Sequence, residues 1–222
     1  MSGAVLFDAM GTLLELQPPA PRLRALLADE GFSVSEERAG AAFGAEIAYY
    51  LDHHLDGATR DGLADLRDRC AATMLEALEL PGLGHAAARR AMLEALEFTA
   101  YPDAAPALKA LRAGGRRLAI VSNWDCSLAD WLEPAGLIGL VDCVVTSAAT
   151  GAAKPDPVIF RTALELLGAE QAGAVHVGDS LAKDIGGARE AGIRAILLAR
   201  DGKQPPAGVE TIRSLADLPS LL

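Results

Sequence analysis

The short apolar run AVLF is closed by Asp8, and Gly11-Thr12 follow it in a turn. RRLAIVSN ends in Ser122-Asn123, and AVHVGDS ends in Gly178-Asp179-Ser180, with Asp184 in the stretch that follows. Lys154 stands before Pro155 in a loop. Brought to one edge, these four segments would deliver a carboxylate, a hydroxyl with an amide, an ammonium and a pair of carboxylates. Carboxylates that close raise one another's pKa unless a cation intervenes. A hard divalent ion with oxygen ligands resolves the repulsion, and Mg2+ is the usual one that also bridges a phosphate. Asp8, oriented by the Thr12 hydroxyl, is then a competent nucleophile for an aspartyl-phosphate that water hydrolyses. Ser122 and the Asn123 backbone N–H would cradle the phosphoryl oxygens, and Lys154 would neutralise them.

The elements needed to assemble such an edge are legible in the pattern. Strand-like runs at 4–8, 116–123, 141–147, 174–180 and 193–200 alternate, after residue 100, with helical patterns at 103–113, about 126–135, 157–168 and 182–191. Short buried strands alternating with helices predict a parallel sheet covered on both faces. Between the first run and this array, residues 15–97 are helical almost throughout. Leu23, Leu26 and Leu27 share one face, and Leu63, Leu66, Cys70, Met74 and Leu78 recur at three- and four-residue steps. Glycine and proline punctuate this stretch into four helices. The expected organisation is an α/β core of 1–14 and 98–222, with an inserted all-α cap of 15–97 roofing the crevice at the carboxyl ends of the strands.

Composition narrows the partners. The 222 residues carry a net charge of −10, and no basic tract opposes that balance locally, so a nucleic-acid partner is not expected. No run of about 20 uncharged apolar residues exists, so no membrane span is expected. MSGAVLFDAMGTLL lacks the features of a signal peptide, and Cys70, Cys126 and Cys143 have no metal spacing; a cytoplasmic protein with reduced thiols is the expectation.

FDAMGTLL, VSNWD, GAAKPDP and HVGDSLAKDIGGA resemble the four ordered signatures of the haloacid dehalogenase (HAD) superfamily of hydrolases. The likeness covers residues 4–14 and about 100–200, and TIRSLADLPSLL is similar to a common ending of the family. It implies a Rossmann-like doubly wound sheet of order 3-2-1-4-5, which would put the Asp8 strand between those of Ser122 and Asp179. It further implies Asp8 and Lys154 as catalytic residues and a phosphate-binding set of Gly11, Thr12, Ser122, Asn123 and Lys154. The implied metal positions are Asp8, Met10, Asp179 and Asp184, holding Mg2+. The expected substrate is a small phosphorylated metabolite, and the protein a monomer or homodimer.

One position departs from the family pattern. Phosphatases of the superfamily usually carry a second Asp two residues after the nucleophile, where this chain has Met10, which cannot transfer a proton. General acid–base help is typically worth ~10²–10⁴-fold. Three readings stay open: a phosphatase for good leaving groups or one drawing an acid from the cap; a 2-haloacid dehalogenase-like enzyme; or a catalytically weak protein that binds a phosphate ligand. Dehalogenases also lack the second Asp, but they need no metal and typically carry Ser where this chain has Asp179. A phosphonate-cleaving relative needs a cap lysine, and residues 15–97 contain none.

The cap's polar candidates are Arg38, Glu46, Tyr49, Tyr50, His53, His54, Arg60 and His85. IAYYLDHHLD reads as one helix, with Tyr50 and His54 on one face and Tyr49 and His53 on another. Ser180 is read as a helix cap, His176 as a packed core side chain, and Trp124 as packing or pocket wall.

Overall fold

The computed structural model describes residues 3–200, 202 and 206–222. They form two compact units, Met1–Glu15 with Thr99–Leu222, and Leu16–Phe98. The expected core bounds also take in residues 1, 2, 201 and 203–205, which lie outside the described residues.

The first unit is built on β1 (Ala4–Phe7), whose four residues are all buried. Its chain continues through β2 (Leu14–Leu16), and the second unit follows with α1 (Pro19–Asp29), α2 (Glu36–His53), α3 (Arg60–Leu78) and α4 (His85–Ala95). The chain returns through β3 (Phe98–Ala100), which pairs with β2 in a two-stranded ribbon. Then come α5 (Ala104–Ala113), β4 (Arg117–Ser122), α6 (Leu128–Leu132), β5 (Cys143–Thr146), α7 (Ser147–Thr150), α8 (Pro157–Leu167), β6 (Ala174–Gly178), α9 (Gly187–Glu190), β7 (Arg194–Leu198) and β8 (Thr211–Ile212).

The sheet order is β5-β4-β1-β6-β7-β8, and every pairing is parallel. The first five strands are in the expected 3-2-1-4-5 order. β8 adds a sixth at the edge, too short to leave a periodic signal. Phe7 is level with Ile120 of β4 and Val177 of β6. The residues just past these strands therefore meet at one edge.

The pleat sends alternate residues to opposite faces. Leu6, Ala119, Val121 and Val145 pack with Ile159, Phe160, Ala163 and Leu164 of α8, while Val5, Phe7, Leu118 and Ile120 are buried on the other side. α8 is delimited by its own sequence. The Asp156 side chain accepts from Val158 N at 2.9 Å, Pro157 opens the helix, and Gly168 closes it in the left-handed conformation.

Two expected helices are shorter or differently wound. The one at about 126–135 is only Leu128–Leu132, and the one at 182–191 begins as a π-helical turn, Leu181–Gly186, before α9. π-Turns inside helices cluster at functional sites.

The second unit has its own core. Leu23, Leu27, Phe43, Leu66, Cys70, Met74, Leu78 and Met92 form one apolar cluster. Ser35 and Thr59 cap α2 and α3 through Arg38 N and Gly62 N, both at 3.1 Å. The single helix expected across IAYYLDHHLD is broken. α2 stops at His53, and a 3-10 turn, His54–Ala58, follows with Gly57 outside helical geometry. Among the described residues no helix is long and apolar enough to cross a membrane.

Candidate active site

Asp8 follows directly on β1, is 6% exposed, and donates its backbone N–H to Val177 O at 2.9 Å. The turn behind it is tightly self-bonded. Leu13 N and Leu14 N both reach Ala9 O at 2.8 Å, and Gly11 N reaches Leu14 O at 2.8 Å. Gly11 has a φ of +76°, and a Cβ there would collide with Asp179 Oδ2. Glycine thus lets the turn lie against the second carboxylate.

Lys154 sits between two acids. Its Nζ donates to Asp8 Oδ1 and to Asp184 Oδ1, both at 2.6 Å, and the side chain is buried. The Asn123 amide braces it from behind: Nδ2 donates to Lys154 O at 3.0 Å, and Oδ1 accepts from Lys154 N at 2.7 Å. Ser122 Oγ donates to Asp8 Oδ1 at 3.2 Å. Asp184 is the most fully engaged of the three acids at this edge. Its Oδ1 also meets His176 Nε2 at 3.0 Å, and its Oδ2 accepts from Ser180 N at 2.9 Å. Gly178 makes this possible, since a Cβ there would overlap Asp184 Cγ.

Asp8, Asp179 and Asp184 each offer a carboxylate oxygen, all within 4.8 Å of one another. Three acids thus face one buried ammonium. Burial pushes the Asp8 carboxyl up to about 6; Asp184 and Asp179 push the same way, and Lys154 opposes them. Burial and then Asp184 raise Asp179. At Asp184 burial is outweighed by Lys154 and the His176 hydrogen bond, and the carboxyl is held well below its usual range. Burial would neutralise Lys154, but Asp8 and Asp184 together raise its pKa instead. An edge this rich in hard oxygens and this short of positive charge fits a divalent cation such as Mg2+. At Met10 the backbone carbonyl is the only hard donor, since a thioether suits softer metals.

One expectation is corrected and one is extended. Thr12 does not orient Asp8: it is fully buried and its hydroxyl has no hydrogen-bond partner. The turn engages its carbonyl instead, which accepts from Arg200 Nη2 at 2.8 Å. His176 is fully buried and meets Phe160 edge-on at 4.9 Å, yet it is not packing alone, since its other face holds Asp184. A polar ring inside an apolar strand must find a partner, and that was the available signal. Asn123 contributes its side chain to Lys154, a contact that a reading of turn chemistry does not reveal. Ser180 does cap the following turn, accepting from Lys183 N at 3.2 Å. Trp124 is buried, and its backbone N–H donates to Ser147 Oγ at 3.0 Å.

In the second unit several candidates are occupied locally. Arg38 donates to Glu79 O at 2.9 Å, His85 Nε2 lies 2.9 Å from Asp68 O, and His53 stacks on Tyr49 at 4.0 Å. Glu46 is buried, and burial pushes its carboxyl up to about 7 against a hydrogen bond from Cys70.

A family model described as haloacid dehalogenase-like hydrolase matches residues 3–192. The haloacid dehalogenase-like hydrolase domain-containing protein 3 of Bos taurus is 43% identical over 114 residues, 51% of this chain and 45% of that protein. The chain thus matches about half the length of such curated relatives. A HAD phosphatase from Thermococcus onnurineus has a similar structure, with a TM-score of 0.67 and 30% identity, covering 100% of this chain and 97% of the other. L-2-haloacid dehalogenase from Xanthobacter autotrophicus is similar to a comparable degree, with a TM-score of 0.71, 27% identity, and coverage of 100% and 98%.

Proposed function

The chain belongs to the haloacid dehalogenase-like hydrolases, and from that premise we propose that it is a Mg2+-dependent phosphatase of small phosphorylated metabolites. The observation that carries this reading is the group of Asp8, Asp179 and Asp184 around one lysine. Displacing a halide from a 2-haloacid calls for a nucleophile, a cation to hold it and one further acid to activate water, and has no use for a third carboxylate crowded against them. Phosphoryl transfer does, because a cation held by the three carboxylates offsets the charge on the transferring group. Asp8, Asp179, Asp184 and the Met10 carbonyl would hold Mg2+, which would supply that charge neutralisation.

In this reading Asp8 is the nucleophile. Lys154 and Ser122 fix its Oδ1, which leaves Oδ2 to attack phosphorus. The ester oxygen leaves with the bonding pair, and the phosphoryl group is carried on Asp8 until water hydrolyses the acyl phosphate and restores the carboxylate. Ser122, Lys154 and the backbone around Gly11, Thr12 and Asn123 receive the phosphoryl oxygens. No proton is available from Met10, so the enzyme favours leaving groups that depart unaided, such as acyl phosphates and esters of acidic alcohols.

The test is turnover of phosphomonoesters and acyl phosphates with Mg2+, run beside halide release from 2-haloacids without metal. Phosphate release abolished by EDTA is expected. EDTA-resistant halide release would overturn the proposal in favour of a dehalogenase.

A further inference from the structure

Arg200, two residues past β7, makes contacts that none of the site chemistry requires. Its Nη2 donates to Thr12 O and to Asp103 Oδ1, both at 2.8 Å, and its Nη1 donates to Asp103 Oδ2 at 3.0 Å. The guanidinium lies 3.9 Å from the centroid of the Tyr101 ring, and Tyr101 N donates to Leu13 O at 3.0 Å. Asp103 stands at the N-cap of α5 but makes no side-chain cap bond. Its carboxylate accepts instead from Arg200, from Ser214 Oγ at 2.7 Å and from Leu215 N at 2.9 Å. A bidentate, partly buried pair of this kind fixes geometry as well as charge.

We infer that Arg200, braced by Asp103 and Tyr101, is a positioning residue that pins the turn following Asp8 against Asp179. The turn is closed on itself through Ala9 O and Leu14 O, so it moves as one piece. Its outward carbonyls, Thr12 O and Leu13 O, are held by Arg200 and by the Tyr101 backbone. Gly11 lies against Asp179, so a slackened Thr12 anchor changes the spacing between the Asp8 and Asp179 carboxylates. Among the described residues the hydrogen bonds of Arg200 go to Thr12 O and Asp103 and not to Asp8, Asp179, Asp184 or Lys154, so it acts on the reaction through backbone placement. Misplacing a reacting group by about 1 Å can cost ~10²-fold in rate. The inference rests on Asp8 being the attacking group, and holds for phosphate or halide as the group displaced.

The experiment compares Arg200→Met and Arg200→Lys with the unmodified chain. It reads kcat and KM on whichever substrate of the panel above is turned over, and amide hydrogen exchange of the peptide spanning residues 9–14. Arg200→Met is expected to lose about 10- to 100-fold in kcat, with KM within about threefold and faster exchange at residues 11–14. Arg200→Lys keeps the charge but cannot span both acceptors, and is expected to recover only part of kcat. A folded Arg200→Met with unchanged kcat, or with unchanged exchange in that peptide, would overturn the inference. If Arg200→Met does not fold, Asp103→Asn carries the same expectations and the same overturning results. If the unmodified chain turns over neither substrate class, the nucleophile assignment fails, and exchange alone then decides whether Arg200 holds the turn.

Discussion

Each unit of the molecule buries carboxyl groups, and the two treat them in opposite ways. At the sheet edge buried Asp8 and Asp184, with the exposed Asp179 beside them, face an ammonium 2.6 Å from the two buried acids. In the helical unit Glu46 is inside α2 with a thiol, a weak donor, as its hydrogen-bonding neighbour. Burial lifts Asp8 to about 6 and Glu46 to about 7. What differs is the opposing force: Lys154 keeps charge at the edge, whereas Glu46 meets burial by holding its proton. An isolated charge in an apolar interior neutralises, and a charge that persists there has a partner. Persistence of charge, more than burial of an acid, separates the working region from the supporting one.

The comparison breaks most plainly at Asp8. Asp8→Asn is nearly isosteric, and should reduce turnover on the order of 10⁴-fold or more while leaving the thermal midpoint close to that of the parent. Turnover that survives in this variant means the nucleophile is elsewhere. Lys154→Met removes the counter-charge and leaves two buried carboxylates facing each other. It should cost about 3–5 kcal/mol in urea denaturation without metal, with part of the loss restored by Mg2+. An unaltered midpoint would mean that the edge does not depend on its lysine for charge balance.

Glu46 sharpens the other side. Its folded pKa of about 7 lies above the ordinary 4.5, so the folded state holds the proton longer than the unfolded chain does. Its contribution to stability is therefore complete below about pH 4.5 and is lost as pH rises through 7, by roughly 3 kcal/mol. Denaturation of Glu46→Gln at pH 5 and pH 8 should show that slope removed; an identical slope would place the pH dependence in other groups. The smallest effect is expected at Met10. Met10→Asp should speed release of alkyl phosphates about tenfold, less than the ~10²–10⁴-fold of a built-in general acid, with little gain on acyl phosphates. Equal gains on both would show that leaving-group protonation is not what limits the parent.

The strand order and the edge at which the motif residues meet were readable from sequence because buried parallel strands are continuous apolar runs, each ending in its polar residue. The faces of α1 and α3 were readable for the same reason of period. What escaped was decided by long-range packing. Nothing local announces that Arg200 reaches Thr12, or that Asn123 turns its amide to the Lys154 backbone. The end of α2 at His53 was hidden because Leu, Asp and His continue a helical pattern without a breaker until Gly57. β8 pairs through Leu197 and Leu198 with just Thr211 and Ile212, too few residues to alternate. Thr12 misled because its hydroxyl looked like the obvious donor to Asp8, whereas the turn turns that hydroxyl inward.

The position of β1 in the sheet also governs the order in which the protein can be made. Ala4 pairs with Arg117 on one side and Ala174 on the other. At about 5–20 residues per second of synthesis, the central strand waits on the order of ten seconds or more for its second neighbour. Meanwhile residues 16–98 emerge in full and can collapse around Leu23, Phe43, Leu66 and Met74. The strand that delivers Asp8 is thus made before either of its neighbours and gains the second only when β6 has been synthesised. During that interval its apolar residues are open to capture by a chaperone or by another nascent chain.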